Sequence, residues 1–142
     1  MAIKQVMCTS FKKALLDGEM DFSTNTAQVF KIALYTSSAT LGAATTAYST
    51  ANEVTGTNYT AGGNTLTLVP ATTAGTSAIA SFADTVWNSA TFTARAALVY
   101  QSGGSNPAVA VLDFGADYST SGGNFNVQFP PVTESTAIIK MG

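Results

Sequence analysis

Histidine is absent from this 142-residue chain, so the usual Ser-His-Asp and Cys-His routes to nucleophilic catalysis have no base. Cysteine occurs once, at Cys8. No intrachain disulfide and no Cys-rich zinc site can therefore brace the fold, which must rest on its core, and a reduced, intracellular folding environment is expected. Such a thiol is expected to be a small buried or terminal group rather than a nucleophile. Charge is scarce: Asp, Glu, Lys and Arg make up 10% of the chain, against roughly 25% in an ordinary soluble domain. Six basic residues against eight acidic ones give a net charge of -2. That leaves no basic face for phosphates and argues against nucleic-acid binding. Long hydrophobic runs are also missing. Nothing approaches the roughly 20 apolar residues of a membrane span, and the N-terminus lacks the apolar stretch of a signal peptide, so neither a membrane nor a secretory segment is expected.

What is present is a core and a bland surface. Hydrophobic residues make up 46% of the chain, and Ser and Thr fill about a quarter of its positions. The missing charge has been replaced by small neutral side chains, which pack flat surfaces with little entropy to lose. A surface of this kind suits a subunit that works against identical or related subunits, whereas a freely diffusing monomer generally needs more net charge. The length predicts a single domain spanning 1–142.

Along the chain, "TSFKKALLDGEMDF" predicts a short helix from about Ser10 to Asp17, with Thr9 or Ser10 as cap and Gly18 as terminator. Gln28 to Thr36 alternates with period two, Phe30, Ile32 and Leu34 on one side. The next thirty or so residues show little strand pattern; a helical turn around Tyr48 to Glu53 is expected, with the rest packed on the body. Leu66 and Leu68 read as a strand ended by Pro70, and Ile79 to Val86 as a weaker run broken by Asp84. Thr91 to Gln101 is the clearest strand, with Phe92, Ala94, Ala96, Leu98 and Tyr100 sharing one side. "GGSNP" and "STSGGN" read as turns before "AVAVLDF" and "FNVQF", and "STAIIKM" as a last strand. The whole predicts an all-β, jelly-roll-like β-sandwich with a short N-terminal helix.

No constellation points to chemistry, and no cofactor or metal site is expected. Asp113 and Asp117 sit near a strand end and a Gly-rich stretch, where a glycosidase pair or a calcium site is conceivable, but Asp at such a place usually satisfies backbone donors. Asp17, Glu19 and Asp21 read as a solvated run. "TAGGN" and "SGGN" lack the Lys and hydroxyl of a phosphate loop. Trp87 beside Asn88 has the makings of a sugar platform, but a lone Trp between strands is more often core. The chain is expected not to be an enzyme.

The strand "VFKIALYTSSATL" and the following "TAYSTANEVTGTNYTAGGNTL" resemble a family of small virion proteins of tailed bacteriophages. In that family a short basic helix precedes an "FKIALYT"-type strand and an "A-Y-x(4)-E-V-x-G-T-x-Y-x-A-G-G" loop. The likeness is tight over Phe11 to Leu66 and general beyond. The pattern falls on Phe30 to Thr36 as the strand and on Glu53, Val54, Gly56, Thr57, Tyr59, Ala61, Gly62 and Gly63 as the loop. Asn58 stands where a glycine is expected, and Asn also tolerates positive φ.

The resemblance implies a capsid cement or decoration protein on the outer surface of the phage head, made in the host cytoplasm. Its partners would be the major capsid protein and copies of itself, as a homo-oligomer on the particle. The alternative is a tail or fibre subunit, an adhesin that contacts host glycan. Glu53, Thr57, Tyr59, Ile138 and Ile139 are the expected protein contacts. A Thr- and Gly-rich loop offers backbone hydrogen bonds and one aromatic anchor, and the apolar C-terminal end offers a strand to a partner's sheet.

Overall fold

The computed structural model describes residues 3–22, 28–129 and 139–141. Within them the chain is almost all β, with one short helix, and its strands form two antiparallel sheets. The first sheet has the order β1-β7-β6-β2-β3, from β1 (Val6–Met7), β2 (Val29–Tyr35), β3 (Asn64–Thr65), β6 (Thr85–Ser102) and β7 (Ala108–Val127). The second has the order β4-β5-β8, from β4 (Leu68–Ala74), β5 (Ser77–Phe82) and β8 (Ile139–Met141). Phe30 of the first sheet meets Phe82 of the second at 5.7 Å between ring centroids, with Phe22 stacked on Phe30 at 4.7 Å. This aromatic joint makes one core of the two sheets, the sandwich that the alternating pattern predicts.

Helix α1 (Thr9–Leu16) begins one residue earlier than expected, and Cys8 rather than a hydroxyl residue occupies the cap position. The Cys8 amide donates to the Val109 carbonyl, which fixes the entry angle without a side-chain cap. Phe11 is fully buried, and Gly18, at φ +74°, ends the helix as its position predicts. Cys8 is buried, and desolvation pushes its thiol up to about 11.

All five aliphatic and aromatic residues expected to face inward, Phe30, Ile32, Leu34, Phe92 and Leu98, are buried. Ala33, Ala97 and Val99 on the alternate positions are buried too, because both faces are covered where β2, β6 and β7 run side by side.

Three expectations are corrected. Tyr48 to Glu53 forms no helical turn; the Tyr48 amide bonds the Asn106 carbonyl, and a tight turn at 51–52 delivers Glu53 to a bridge with Tyr35. Pro70 does not end a strand but lies inside β4, at the edge of its sheet and within a register shift between Val69 and Thr72, where its missing N–H is harmless. "STSGGN" does not reverse the chain, because β6 opposite keeps pairing and the left-handed Gly122 is absorbed as a bulge, so β7 runs through it to Val127. The described parts of both chain ends also pair within the chain. Val6 and Met7 pair with β7, Ile3 bridges Leu41, and Ile139 is buried opposite Ala80 of β5. Ile138 lies outside the described residues.

Candidate functional site

The segment with the sharpest motif, Glu53 to Leu66, lies along one flank of the first sheet. There β2 needs a neighbour, and past Tyr35 so does β6, because β2 pairs only with Ala96 to Ser102 of that longer strand. The loop supplies both. At its ends it pairs as a strand would: the Val54 amide donates to the Leu34 carbonyl, Lys31 and Ile32 face Thr65 and Asn64, and the Leu66 amide donates to the Phe30 carbonyl. Between these ends the backbone bows away, leaving the Leu34 amide unserved by main chain. The Tyr59 hydroxyl oxygen accepts it at 2.8 Å, standing where a strand carbonyl would.

The hydroxyl then donates onward to Glu53 Oε2 at 2.6 Å, and the same oxygen accepts the Gly62 amide at 2.8 Å. Tyr48 donates to Glu53 Oε1 at 2.6 Å. One nearly buried carboxylate thus gathers three donors, two from the loop and one from Tyr48 just ahead of it, the arrangement that makes a buried charge tolerable. Tyr100 adds a fourth tie, donating to the Gly62 carbonyl at 2.7 Å while stacking on Tyr48 at 4.7 Å. Desolvation is the largest cause that raises all four phenols: it carries Tyr100 up to about 12, and Tyr35, Tyr48 and Tyr59 higher still. For Tyr48 and Tyr59 the hydrogen bond to the Glu53 carboxylate reinforces the shift, since a phenolate could not donate it.

Over β6 the loop changes instruments. Thr57 and Thr91 exchange both backbone hydrogen bonds at 3.1 Å. The Asn58 side-chain amide donates to the carbonyls of Asn88 and Ser89, and that of Asn64 to the Val86 carbonyl. Asn58 stands at φ +60°, the left-handed conformation that a glycine would take there. The glycines have a separate reason. A Cβ on Gly63 would lie 1.7 Å from the Ile32 carbonyl oxygen, and one on Gly56 2.1 Å from that of Thr91. At these two positions the loop is pressed onto the strands too closely for any side chain.

The expected contact residues thus fall into different places. Glu53 and Tyr59 are brought together and point inward; Tyr59 packs against both Trp87 and Phe92 rather than offering an exposed anchor. Thr57 is exposed but bound through its backbone, and Ile139 lies in the second sheet. Trp87 is core, at 4% exposure. Asp113 pairs with Arg95 at 3.3 Å and accepts the Gly115 amide, a bulge-stabilising role, while Asp117 is exposed. Among the described residues no three Asp, Glu, Cys or His side chains gather as a metal site, and no helix is long and apolar enough to cross a membrane. Tyr48, Tyr100 and Asn64 were not singled out by sequence; the signal was a lone acid in a nearly uncharged loop with tyrosines on either side.

The opposite flank of the same sheet has another character. β1 covers β7 only at Ala110 and Val111, and past that point no described strand pairs β7 on the side away from β6. From Gly115 to Asn124 the strand is almost wholly exposed. Phe114, Tyr118 and Phe125 line a shallow surface groove of about 470 Å³ beside it. Comparison of the chain with protein-family models, with curated proteins and with solved structures found no match.

Proposed function

We propose that the chain is a virion structural protein of the capsid cement type, binding the assembled phage head and bridging major capsid subunits together with copies of itself. The observation that supports this reading best is how the motif spends its polar residues. Glu53, Tyr48 and Tyr59 are consumed in holding the loop against the sheet, a use that serves rigidity rather than turnover. The resemblance of that loop to small phage virion proteins supplies the setting, and the weakly charged Ser- and Thr-rich surface suits close contact with other subunits. The mechanism is mass action: a protein that binds only the assembled shell stabilises it by the free energy of each clamp, repeated over many copies. Gel densitometry of purified particles is the test. Hundreds of copies per virion are expected, and a handful would overturn the reading.

A second reading, a tail or fibre subunit that contacts glycan, is weakened by the buried Trp87 and favoured by the aromatic groove at Phe114, Tyr118 and Phe125. Labelling the chain on intact particles separates the two, since fibres cluster at one vertex.

A further inference from the structure

We propose that the open flank of β7, from Ala116 to Ser121, binds the same flank of a second copy, the two strands pairing antiparallel about a two-fold axis to make one continuous sheet. The inference deepens the reading of a protein that works against its own copies, and it rests on that reading only for its choice of occupant.

Three features of this flank carry it. The first is its lack of protection between the bulges that end it. Edge strands are usually blunted by Lys, Pro or a covering segment. Here β4 carries Pro70 and a register shift, and the β2 flank is covered by the 53–66 loop. Ala116 to Ser121 has no Lys, no Pro, one charge at Asp117 and no described strand on the side away from β6. The second is its length. Left-handed Gly115 and Gly122 bracket the segment, so regular pairing stops at both ends. An isologous contact between two such segments matches their lengths and leaves no free edge to propagate.

The third is register. With the axis at Ser119 the self-paired core of the segment is Asp117 to Ser121: Tyr118 faces the partner's Thr120, and Asp117 faces the partner's Ser121 rather than another carboxylate. A two-fold axis normal to the sheet keeps faces aligned, so each copy's Tyr118, 53% exposed, lies on the same side as the other's aromatic groove. The outward hydroxyls need no rearrangement, because Ser119 already bonds Thr93 at 2.7 Å within its own chain.

Sedimentation equilibrium of the purified full chain tests the proposal without any particle, so its outcome is independent of virion copy number. The expected result is a reversible dimer. Ser121→Asp sets two like-charge pairs across the axis and should weaken dimerisation on the order of tenfold. Ser121→Lys sets two opposite-charge pairs and should tighten it, an effect that salt removes. Near-UV circular dichroism confirms that both variants keep the parent fold. A monomer at every concentration up to the solubility limit would overturn the proposal. So would a dimer indifferent to both substitutions, or oligosaccharide binding at the groove with no dimer.

Discussion

The two flanks of the five-stranded sheet pose the same physical problem and meet it differently. Along β2 and the first half of β6, the chain closes its own edge with a loop, using one carboxylate, tyrosine hydroxyls and two asparagine amides where a strand would use backbone. Along β7 the described residues leave a weakly charged Ser- and Thr-rich edge exposed. An unpaired backbone group is tolerable only where water or another chain can reach it. One flank is sealed densely and the other is open among the described residues, and that contrast is the centre of the proposal above.

The harshest way to break the sealed flank is alkali. Tyr100 is raised to about 12, and Tyr35, Tyr48 and Tyr59 beyond it, all above the ordinary phenol value. A group whose folded value is raised contributes fully at pH below its unfolded value and loses that contribution as pH climbs through the folded one. Melting temperature should therefore hold steady to about pH 9, where Cys8 first enters, and collapse above about pH 10. Cooperative tyrosinate absorbance should appear with unfolding. Phenols that titrate smoothly near pH 10 in a folded protein would show the seal to be open.

Next in size is Gly63→Ala, whose Cβ would collide with the Ile32 carbonyl at a left-handed backbone. A loss of about 3 to 5 kcal/mol is expected in urea titration. Leu98→Ala, in the shared core, should cost about 2 to 5 kcal/mol. It serves as the reference, because it damages the fold without touching either flank.

Tyr59→Phe should cost about 1 to 3 kcal/mol, since it strands the Leu34 amide and removes one donor from Glu53. Tyr118→Ala should move monomer stability by less than about 0.5 kcal/mol. Equal losses for these two tyrosines would erase the distinction between the flanks. Chelation with EDTA should change nothing measurable in melting.

The strand faces were legible because burial imposes a period: Phe30, Ile32 and Leu34, or Phe92 to Tyr100, show it directly. The seal was legible only as a motif. Its residues follow no period, so nothing in the spacing of Glu53 and Tyr59 told whether the ring faced a neighbour or the chain's own β2. The long β7 was hidden for the opposite reason. "SGG" carries turn chemistry, and only the presence of β6 opposite makes it a bulge rather than a reversal. Pro70 misled in the same way, since its effect depends on whether its strand lies at an edge.

Residue-resolved amide exchange, followed by NMR at a dilute and a concentrated condition, compares the two flanks in one experiment. The account predicts that the Leu34 amide, held by Tyr59, exchanges as slowly as the core at both concentrations, whereas the outward amides between Ala116 and Ser121 exchange fast when dilute and slow when concentrated. Rapid exchange at Leu34, or protection along β7 that ignores concentration, would contradict it.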